Sequence, residues 1–451
     1  MKKLFLQSSL IILVFFVLSS ILRLGSNLAL TRLLIPEMFG LMAVVIAVKM
    51  LVELMADVGL SQNVVQSDKA YDERFLRIIW TVQILRGFFL ALCIVIVAFV
   101  LYFFAGDLFQ PGSVYFNEQL PILLVVSSTT AITSGFRSPY LYILKREVRP
   151  LIPASIEFFS TLSGIVVMII LAKKTGSIWS LVAGDIFTQL VWLLLSHVLG
   201  GGYRMRLAWD STVVKEIFSF GKWIFLSSVA GIIILQGDRL LLAGMITPAE
   251  LGYYSIAATL AYMLVHLLGK IGASISYPTF RQIIREEPEK IKSAYYRVRF
   301  FVDALVIFCA CVLFLSAETI ISILYDPRYL PAGGYLKILA VSLIFIGFDY
   351  VEHLFVALHK PKYSFYMKLT HAMSLVICMF IGINLGGVHG AIWGLVLSPL
   401  PKFIVAWFIM SRVGIFSFLY EMRAVPVILA GLTIGYFVDY LLKVVETIFL
   451  L

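Results

Sequence analysis

Hydrophobic residues run along this chain in long stretches that are separated by short polar segments. A helix needs about 20 mainly apolar residues to cross a bilayer, and most of the stretches reach that length. The pattern therefore predicts an all-α polytopic membrane protein. Its thirteen predicted transmembrane helices cover residues 6–31, 38–60, 78–104, 119–144, 151–172, 178–199, 222–246, 250–277, 300–324, 335–358, 365–384, 390–411 and 425–447.

The distribution of basic residues supports this order of helices. Of the 36 Lys and Arg residues, 23 fall in loops on one side of the predicted membrane, 6 in loops on the other and 7 inside helices. Lys and Arg concentrate in the cytoplasmic loops of membrane proteins. The sequence therefore predicts a cytoplasmic N-terminus, where Lys2 and Lys3 precede a transmembrane helix rather than a cleaved signal peptide.

Two segments of the first half of the chain recur in the second half. Pro36–Gly40 (PEMFG) resembles Pro248–Gly252 (PAELG), 212 residues later, and Gly176–Val182 (GSIWSLV) resembles Gly390–Val396 (GAIWGLV), 214 residues later. The nearly equal offsets indicate a duplicated six-helix unit, although chance similarity between apolar helices is the alternative. We predict an N-terminal six-helix lobe, a C-terminal six-helix lobe and an additional transmembrane helix, at residues 1–210, 211–424 and 425–451.

The amino-acid composition narrows the range of possible functions. Hydrophobic residues make up 61% of the chain and charged residues 14%. In soluble domains hydrophobic residues make up about 45–50% and charged residues about 25%. The net charge is +10. Its excess lies in the predicted cytoplasmic loops, which indicates orientation and contact with membrane lipids rather than with nucleic acid. Because the sequence contains no nucleotide-binding glycine loop and no hydrolase motif, we expect a transporter without a cofactor or metal, not an enzyme.

The loop between the first two helices carries a recognisable motif. Leu30–Leu41 (LTRLLIPEMFGL), followed by Asp57–Leu60 (DVGL), resembles the polysaccharide transporters of the multidrug/oligosaccharidyl-lipid/polysaccharide exporter superfamily. The predicted twelve-helix layout with an extra C-terminal helix fits the same family. The resemblance implies a Wzx-type flippase of the bacterial inner membrane. Such a protein moves undecaprenyl-pyrophosphate-linked oligosaccharides to the outer leaflet for O-antigen or exopolysaccharide assembly, and the resemblance does not identify the sugar.

Basic residues inside the predicted helices are candidates for substrate binding. A charge at bilayer depth costs about 2.5–3.5 kcal/mol on insertion scales, so such a side chain faces either a partner or a polar cavity. Arginine in particular matches phosphate oxygens with forked donors and stays charged when it is desolvated. The predicted ligands of the substrate pyrophosphate are Arg23, Lys49, Arg137, Arg239, Lys270 and Lys402.

Acidic residues and a histidine inside the predicted helices are candidates for coupling transport to an ion gradient. They are Glu53, Asp57, Asp349, Glu352 and His353. The first two follow Lys49 at spacings of four residues, which puts the three on one face of a helix. The last three share a face of the predicted tenth helix, and such groups bind or release H⁺ or hold Na⁺. The alternative for these carboxylates is a structural ion pair, with Arg137 as the suggested partner.

The expected partners of a flippase are a lipid-linked oligosaccharide, membrane lipids, H⁺ or Na⁺ and the polysaccharide polymerase machinery, with no nucleic acid. Other functions stay open. A cation-coupled multidrug exporter of the same superfamily predicts a cavity of acids and aromatic residues, which the deep bases disfavour. A lipid II flippase is another relative. A membrane polysaccharide polymerase or ligase would carry large periplasmic loops, whereas the predicted outward loops are about 5–15 residues long.

Overall fold

In a computed structural model of the chain, helices joined by short loops account for the fold, and no β-strand occurs among the described residues. The description covers residues 2–55, 59–200 and 205–450. Only the backbone, and not the side chains, is described at residues 2–10, 218–230, 232, 264, 266–275, 277–278, 361, 445 and 448–450. The predicted all-α membrane fold is confirmed.

The first part of the chain follows the predicted helices except at the fourth. Its helices are α1 (Lys2–Thr31), α2 (Pro36–Met55), α3 (Leu60–Gln66), α4 (Glu73–Leu108), α5 (Gln119–Ser127), α6 (Thr129–Gly135), α7 (Tyr140–Arg146), α8 (Leu151–Thr175) and α9 (Trp179–Val198). The prediction of one continuous helix over 119–144 is wrong, because the chain leaves α6 before Pro139 and bends by 64° into α7. Proline disfavours helical geometry in the residue before it and has no N–H for a helical bond.

The second part of the chain combines four helical segments of 33, 39, 34 and 37 residues with shorter helices. They are α10 (Ser211–Ala243), α11 (Pro248–Glu286), α12 (Ile291–Leu324), α13 (Ala332–Ser342), α14 (Tyr350–Ala357), α15 (Pro361–Leu397), α16 (Leu400–Val413), α17 (Phe418–Glu421) and α18 (Ala424–Leu450). A 3₁₀ segment, Leu343–Asp349, connects α13 to α14 inside the predicted tenth helix. The prediction did not include this change of helix type.

Inside α15 the chain reverses at two glycines. Gly386 and Gly387 leave helical geometry, and Gly387 has φ 58°, which glycine adopts without steric cost. The backbones of Gly382 and Gly390, on either side of this point, lie in direct contact. The predicted helices 365–384 and 390–411 therefore exist as two helices joined by a tight turn. The contact between Gly382 and Gly390 is therefore made within one hairpin.

Nine helices are long and apolar enough to span a membrane among the described residues, or ten if the bent pair before and after Pro139 forms one span. This count takes the hairpin of α15 and α16 as one segment. Helices α10 and α11 have 33 and 39 residues and side chains that are only partly described. The total of thirteen transmembrane helices therefore stays a prediction.

The repeated proline motifs mark the starts of two helices. Pro36 is the first residue of α2, and Pro248 is the first residue of α11. The missing N–H of proline is harmless in the first turn of a helix. At α11, Thr247 and Glu250 also exchange hydrogen bonds, with the Thr247 N–H donating to Glu250 Oε2 over 2.9 Å. This reciprocal cap fixes where the helix begins.

The chain divides into two compact units. The N-terminal unit comprises residues 1–232 and 243–251, and the C-terminal unit comprises residues 233–242 and 252–451. In the N-terminal unit, α3, α4, α7 and the start of α10 pack around a core that includes Val64, Leu76 and Ile217. The core of the C-terminal unit includes Phe280, Tyr295 and Phe355. The predicted duplication and the lobe boundaries at 210 and 424 stay predictions.

The last helix, α18, packs against α12 within the C-terminal unit. Gly431 and Gly435 lie against Cys311, where an added Cβ on Gly435 would come within 3.1 Å of the Cys311 carbonyl oxygen. Farther along, Thr319 Oγ1 donates a hydrogen bond to Asp439 over 3.0 Å. The two helix backbones meet here because these residues are small.

Candidate functional site

A polar cavity lies inside the N-terminal unit, among α2, α4, α6 and α9. About 400 Å³ of space at this place, part of it open to the surroundings, is not filled by protein atoms. Leu90 and Ile94 form part of its wall. The polar side chains that line it are Lys49, Glu53, Thr130, Ser134, Arg137 and Gln189. The structure thus brings together two predicted substrate-binding bases and one predicted ion-coupling acid.

Lys49 reaches this cavity from α2 and forms an ion pair with a carboxylate of α9. Its Nζ lies 2.5 Å from Asp185 Oδ2, and the two side chains are 18% and 22% exposed. Removing either partner would leave a charge without its counter-ion in a largely desolvated place. Lys49 therefore enters the cavity wall as half of a neutral pair, while Glu53, one turn later, lines the same cavity.

Arg137 enters the cavity from the irregular segment between α6 and α7. Its Nη2 donates a hydrogen bond to Gln189 Oε1, and its guanidinium carbon lies 3.9 Å from the centre of the Trp192 ring. An arginine over an aromatic face is stabilised by the ring quadrupole without losing its charge. Both contact partners are neutral, and among the described carboxylates Glu53 of the same cavity acts on the Arg137 charge through space rather than in an ion pair.

The other predicted residues of the N-terminal unit lie outside this cavity. Arg23 of α1 pairs with Glu157 of α8 over 3.4 Å, with side chains that are 61% and 48% exposed. Arg86 of α4 donates to the backbone carbonyl of Glu53 over 3.0 Å. Asp57 lies outside the described residues, so its predicted place on the Lys49 face stays a prediction.

The C-terminal unit holds a second group of charges, centred on Lys402 of α16. Lys402 is 4% exposed and forms an ion pair with Asp349. Its Nζ also lies 3.9 Å from Glu352 Oε1, and Lys368 approaches the other oxygen of Glu352 at 3.5 Å. The sequence suggested Arg137 as the structural partner of these carboxylates, and the structure gives Lys402 in that role. Lys402 is therefore a buried counter-ion rather than an open base.

The remaining predicted residues of the C-terminal unit have separate partners. His353 follows Glu352 on α14 and packs edge-on against the Tyr350 ring at 5.7 Å. Arg239 of α10 donates to Gln236 Oε1 over 3.1 Å, whereas the adjacent Asp238 accepts a hydrogen bond from Tyr254. Lys270 lies in α11 where only the backbone is described, so its side chain lies outside the description.

Sequence reasoning missed a buried charge cluster at the start of α12. Arg299, which the loop count assigned to the cytoplasm, is 4% exposed and pairs with Asp303 at 3.2 Å and with Glu421 at 2.8 Å. Its guanidinium lies 3.8 Å from the Phe348 ring. The spacing of Arg299 and Asp303, four residues apart on one helix, was the available signal. The uncharged Gln189 and Trp192 gave no comparable signal.

The fold is that of transporters of the multidrug/oligosaccharidyl-lipid/polysaccharide exporter superfamily. A structure of the lipid II flippase MurJ in an inward closed conformation matches with a TM-score of 0.69 and 15% identity, covering 98% of each chain. An inward-facing multidrug resistance MATE family transporter matches with a TM-score of 0.65 and 14% identity, covering 90% of this chain and 98% of the other. At these identities the likeness establishes the fold.

The family follows from the sequence comparisons. Residues 29–333 match the model of the family described as polysaccharide biosynthesis protein, so the chain belongs to that family. The lipopolysaccharide biosynthesis protein WzxC of Escherichia coli K12 is 20% identical over 85% of this chain and 76% of its own length. The teichuronic acid biosynthesis protein TuaB of Bacillus subtilis 168 is 19% identical over 80% and 73%. The resemblance predicted from the loop motif is confirmed.

Proposed function

We propose that this protein is a flippase that translocates lipid-linked oligosaccharides across the bacterial inner membrane for surface polysaccharide assembly. The observation that carries the proposal is membership of the polysaccharide biosynthesis family over residues 29–333. Two relatives are named for lipopolysaccharide and teichuronic acid biosynthesis, both surface polysaccharides. The transporter fold adds a way to move a substrate across the membrane, with alternating access as the proposed mechanism.

The cavity of the N-terminal unit suits the anionic headgroup of such a substrate. A pyrophosphate that enters a low-dielectric cavity needs charged donors to replace water. Arg137 supplies a guanidinium whose described partners are neutral, so it can bind phosphate oxygens without first breaking an ion pair. Lys49 offers a second cation, which an incoming phosphate would share with Asp185.

We further propose that the carboxylates around Lys402 couple transport to protons. Asp349 and Glu352 both face the Lys402 ammonium, and His353 stands next to them on α14. Oxygen ligands of this kind could hold Na⁺, but the ammonium already occupies the space between them. Protonation of a carboxylate would release Lys402 from its partner, which makes H⁺ the better-fitting ion.

Deletion of the gene tests the flippase proposal. Undecaprenyl-linked repeat units should accumulate on the cytoplasmic side of the membrane, and surface polysaccharide should fall. Re-expression of the wild-type protein should reverse both effects, and an Arg137→Gln variant should not. Normal surface polysaccharide in the deletion strain would contradict the proposal. Insertion of a reporter after Lys3 tests the proposed cytoplasmic N-terminus, and co-purification tests contact with the polymerase machinery.

A lipid II flippase is the second candidate, because the MurJ structure matches over 98% of this chain. Lipid II also presents a headgroup with pyrophosphate chemistry, so the cavity alone does not distinguish the two substrates. Rescue of a strain depleted of its lipid II flippase would favour this candidate. Drug resistance on overexpression, with unchanged surface polysaccharide, would instead favour a multidrug exporter.

A further inference from the structure

The break between α6 and α7 leaves a short run of backbone outside regular helical bonding. Residues 134–137 end α6 and start the turn before Pro139. Backbone carbonyls at membrane depth need partners within the protein, because lipid offers none. Irregular backbone at this depth is tolerated where protein buries it or where it lines a polar cavity. Ser134 and Arg137 do line such a cavity, so the partners of these carbonyls bear directly on the site.

Side chains of α4 supply partners for all four carbonyls. Gln83 is 6% exposed, and its Nε2 lies 3.2, 3.1 and 3.0 Å from the carbonyl oxygens of Ser134, Gly135 and Arg137, so its two N–H groups are shared among three acceptors. Trp80 Nε1 donates to the remaining carbonyl, that of Phe136, over 3.2 Å. Trp80 and Gln83 lie about one helical turn apart on α4. The turn has further partners, since His197 Nε2 of α9 lies 2.9 Å from the Phe136 carbonyl oxygen and the Arg137 N–H donates to the Ser134 carbonyl over 3.4 Å.

Gln83 also connects the two sides of the break. Its Oε1 accepts a hydrogen bond from the hydroxyl of Tyr142 on α7, over 3.0 Å. Two glycines allow the close approach that this bonding needs. An added Cβ on Gly87 would lie 2.9 Å from the Ala131 carbonyl oxygen, and one on Gly135 would lie 3.0 Å from the Gln83 carbonyl oxygen. Side chains at these positions would push α4 and α6 apart.

We propose that Gln83 is a positioning residue that sets the Arg137 guanidinium in the cavity for an anionic, pyrophosphate-type headgroup. Gln83 does not line the cavity itself, and its amide binds the backbone of Arg137 directly. A binding group needs its supporting residues to hold it within a few tenths of an ångström of the productive geometry. The amide fixes the backbone from which Arg137 projects, and Gln189 and Trp192 fix its far end. The inference rests on the proposed function for the identity of the ligand.

A double-mutant cycle tests the inference. The variants are Gln83→Met, which keeps the length of the side chain without its donors, Arg137→Gln, and the two together. Tyr142→Phe is the matched control, because it removes one bond to Gln83 and leaves the amide donors in place. Flipping of a lipid-linked oligosaccharide by reconstituted protein gives KM and the maximal rate. Binding of inorganic pyrophosphate to the purified full-length protein, measured by calorimetry, gives a second readout.

We expect Gln83→Met to raise KM and the pyrophosphate Kd about tenfold, because a charge-assisted hydrogen bond from Arg137 is lost. The maximal rate should change less than twofold. The double variant should be no worse than Arg137→Gln alone, since Gln83 acts through Arg137. Tyr142→Phe should stay within threefold of wild type. Wild-type binding of pyrophosphate by Gln83→Met would overturn the positioning role. It would also be overturned if the effects of Gln83→Met and Arg137→Gln on Kd multiplied in the double variant.

The two readouts separate this inference from the proposed function. A wild-type protein that binds pyrophosphate with the expected cycle but flips no lipid-linked oligosaccharide would reject the flippase proposal alone. If the wild type flips lipid-linked oligosaccharide but the effects of Gln83→Met and Arg137→Gln on pyrophosphate binding multiply, only the positioning role is rejected. A wild type that does neither would reject both. Every rate is normalised to protein that elutes as a single species in detergent, so that a lower yield of folded Gln83→Met does not count as a loss of transport.

Discussion

The N-terminal unit has an interruption before Pro139, and the C-terminal unit has a 3₁₀ segment at Leu343–Asp349. The two segments differ in how the charges around them are paired. Phe136-Arg137 and Phe348-Asp349 are separated by 212 residues, as are Pro36 and Pro248. At both places a helix loses its regular geometry next to a charged side chain. A 3₁₀ stretch or a break inside a helix often marks a functional position.

The partners of the two segments differ in charge. Around the N-terminal break, uncharged side chains supply hydrogen bonds. Gln83 and Trp80 donate to its carbonyls, and Gln189 accepts a hydrogen bond from Arg137. In the C-terminal unit, Asp349 pairs with buried Lys402, and Arg299 lies over Phe348. At the N-terminal break Arg137 therefore contacts neutral partners, whereas the charges around Phe348-Asp349 pair with one another. Ligand binding and ion coupling would accordingly reside in different units.

The largest effect on stability should come from Lys402→Met. The change leaves Glu352, which is largely buried, and Asp349, whose side chain is 54% exposed, without the ammonium that faces both. Removing one partner of a fully buried pair costs about 3–5 kcal/mol, and solvent around Asp349 lowers the expected loss to the bottom of that range or below it. Thermal unfolding of the purified protein in detergent measures the loss. Adding Asp349→Asn and Glu352→Gln to Lys402→Met should recover most of it. If Lys402→Met unfolds at the wild-type temperature, the charges are not an internally neutralised group.

Arg137→Gln should give the opposite profile, with a large loss of transport and a small loss of stability. A hydrogen bond to a charged group contributes about 1.5–3 kcal/mol, so KM should rise about 10- to 100-fold. The neutral Gln189 that remains is not a buried charge, which limits the cost to folding. Arg86→Gln is the control, because Arg86 does not line the cavity and reaches it only through the backbone carbonyl of Glu53. Equal transport by the two variants would remove the contrast between the units.

Exchange of the Lys49–Asp185 pair separates its structural role from substrate binding. The variant Lys49→Asp with Asp185→Lys keeps an ion pair between α2 and α9 but moves the cation to the other helix. Each single change should lower stability by several kcal/mol, and the exchange should recover all but about 1 kcal/mol. Transport should stay reduced if Lys49 contacts the headgroup. Full recovery of transport would show that the pair only holds the helices together.

The sequence predicted most of the fold because membrane helices follow from apolar length and from the side on which Lys and Arg lie. It singled out Lys49, Glu53 and Arg137 as candidate site residues, and these three do line one cavity. It did not predict the break at 136–139 or the partners of the charges. Those depend on contacts between distant segments, such as Gln83 with the carbonyl of Arg137, and on uncharged residues such as Gln189 that no charge pattern reveals.

Arg23→Ala should have the smallest effect on stability and tests whether the N-terminal unit uses more than one cation. Arg23 and Glu157 are 3.4 Å apart and largely exposed, and pairs of this kind contribute about 0–1 kcal/mol. Protein content of the membrane should therefore stay at the wild-type level. If Arg23 contacts the substrate, transport falls in Arg23→Ala and stays near wild type in Glu157→Gln, which keeps the arginine. Equal transport by both variants and the wild type would remove Arg23 from the binding residues and leave Arg137 and Lys49 as the cations that serve the cavity.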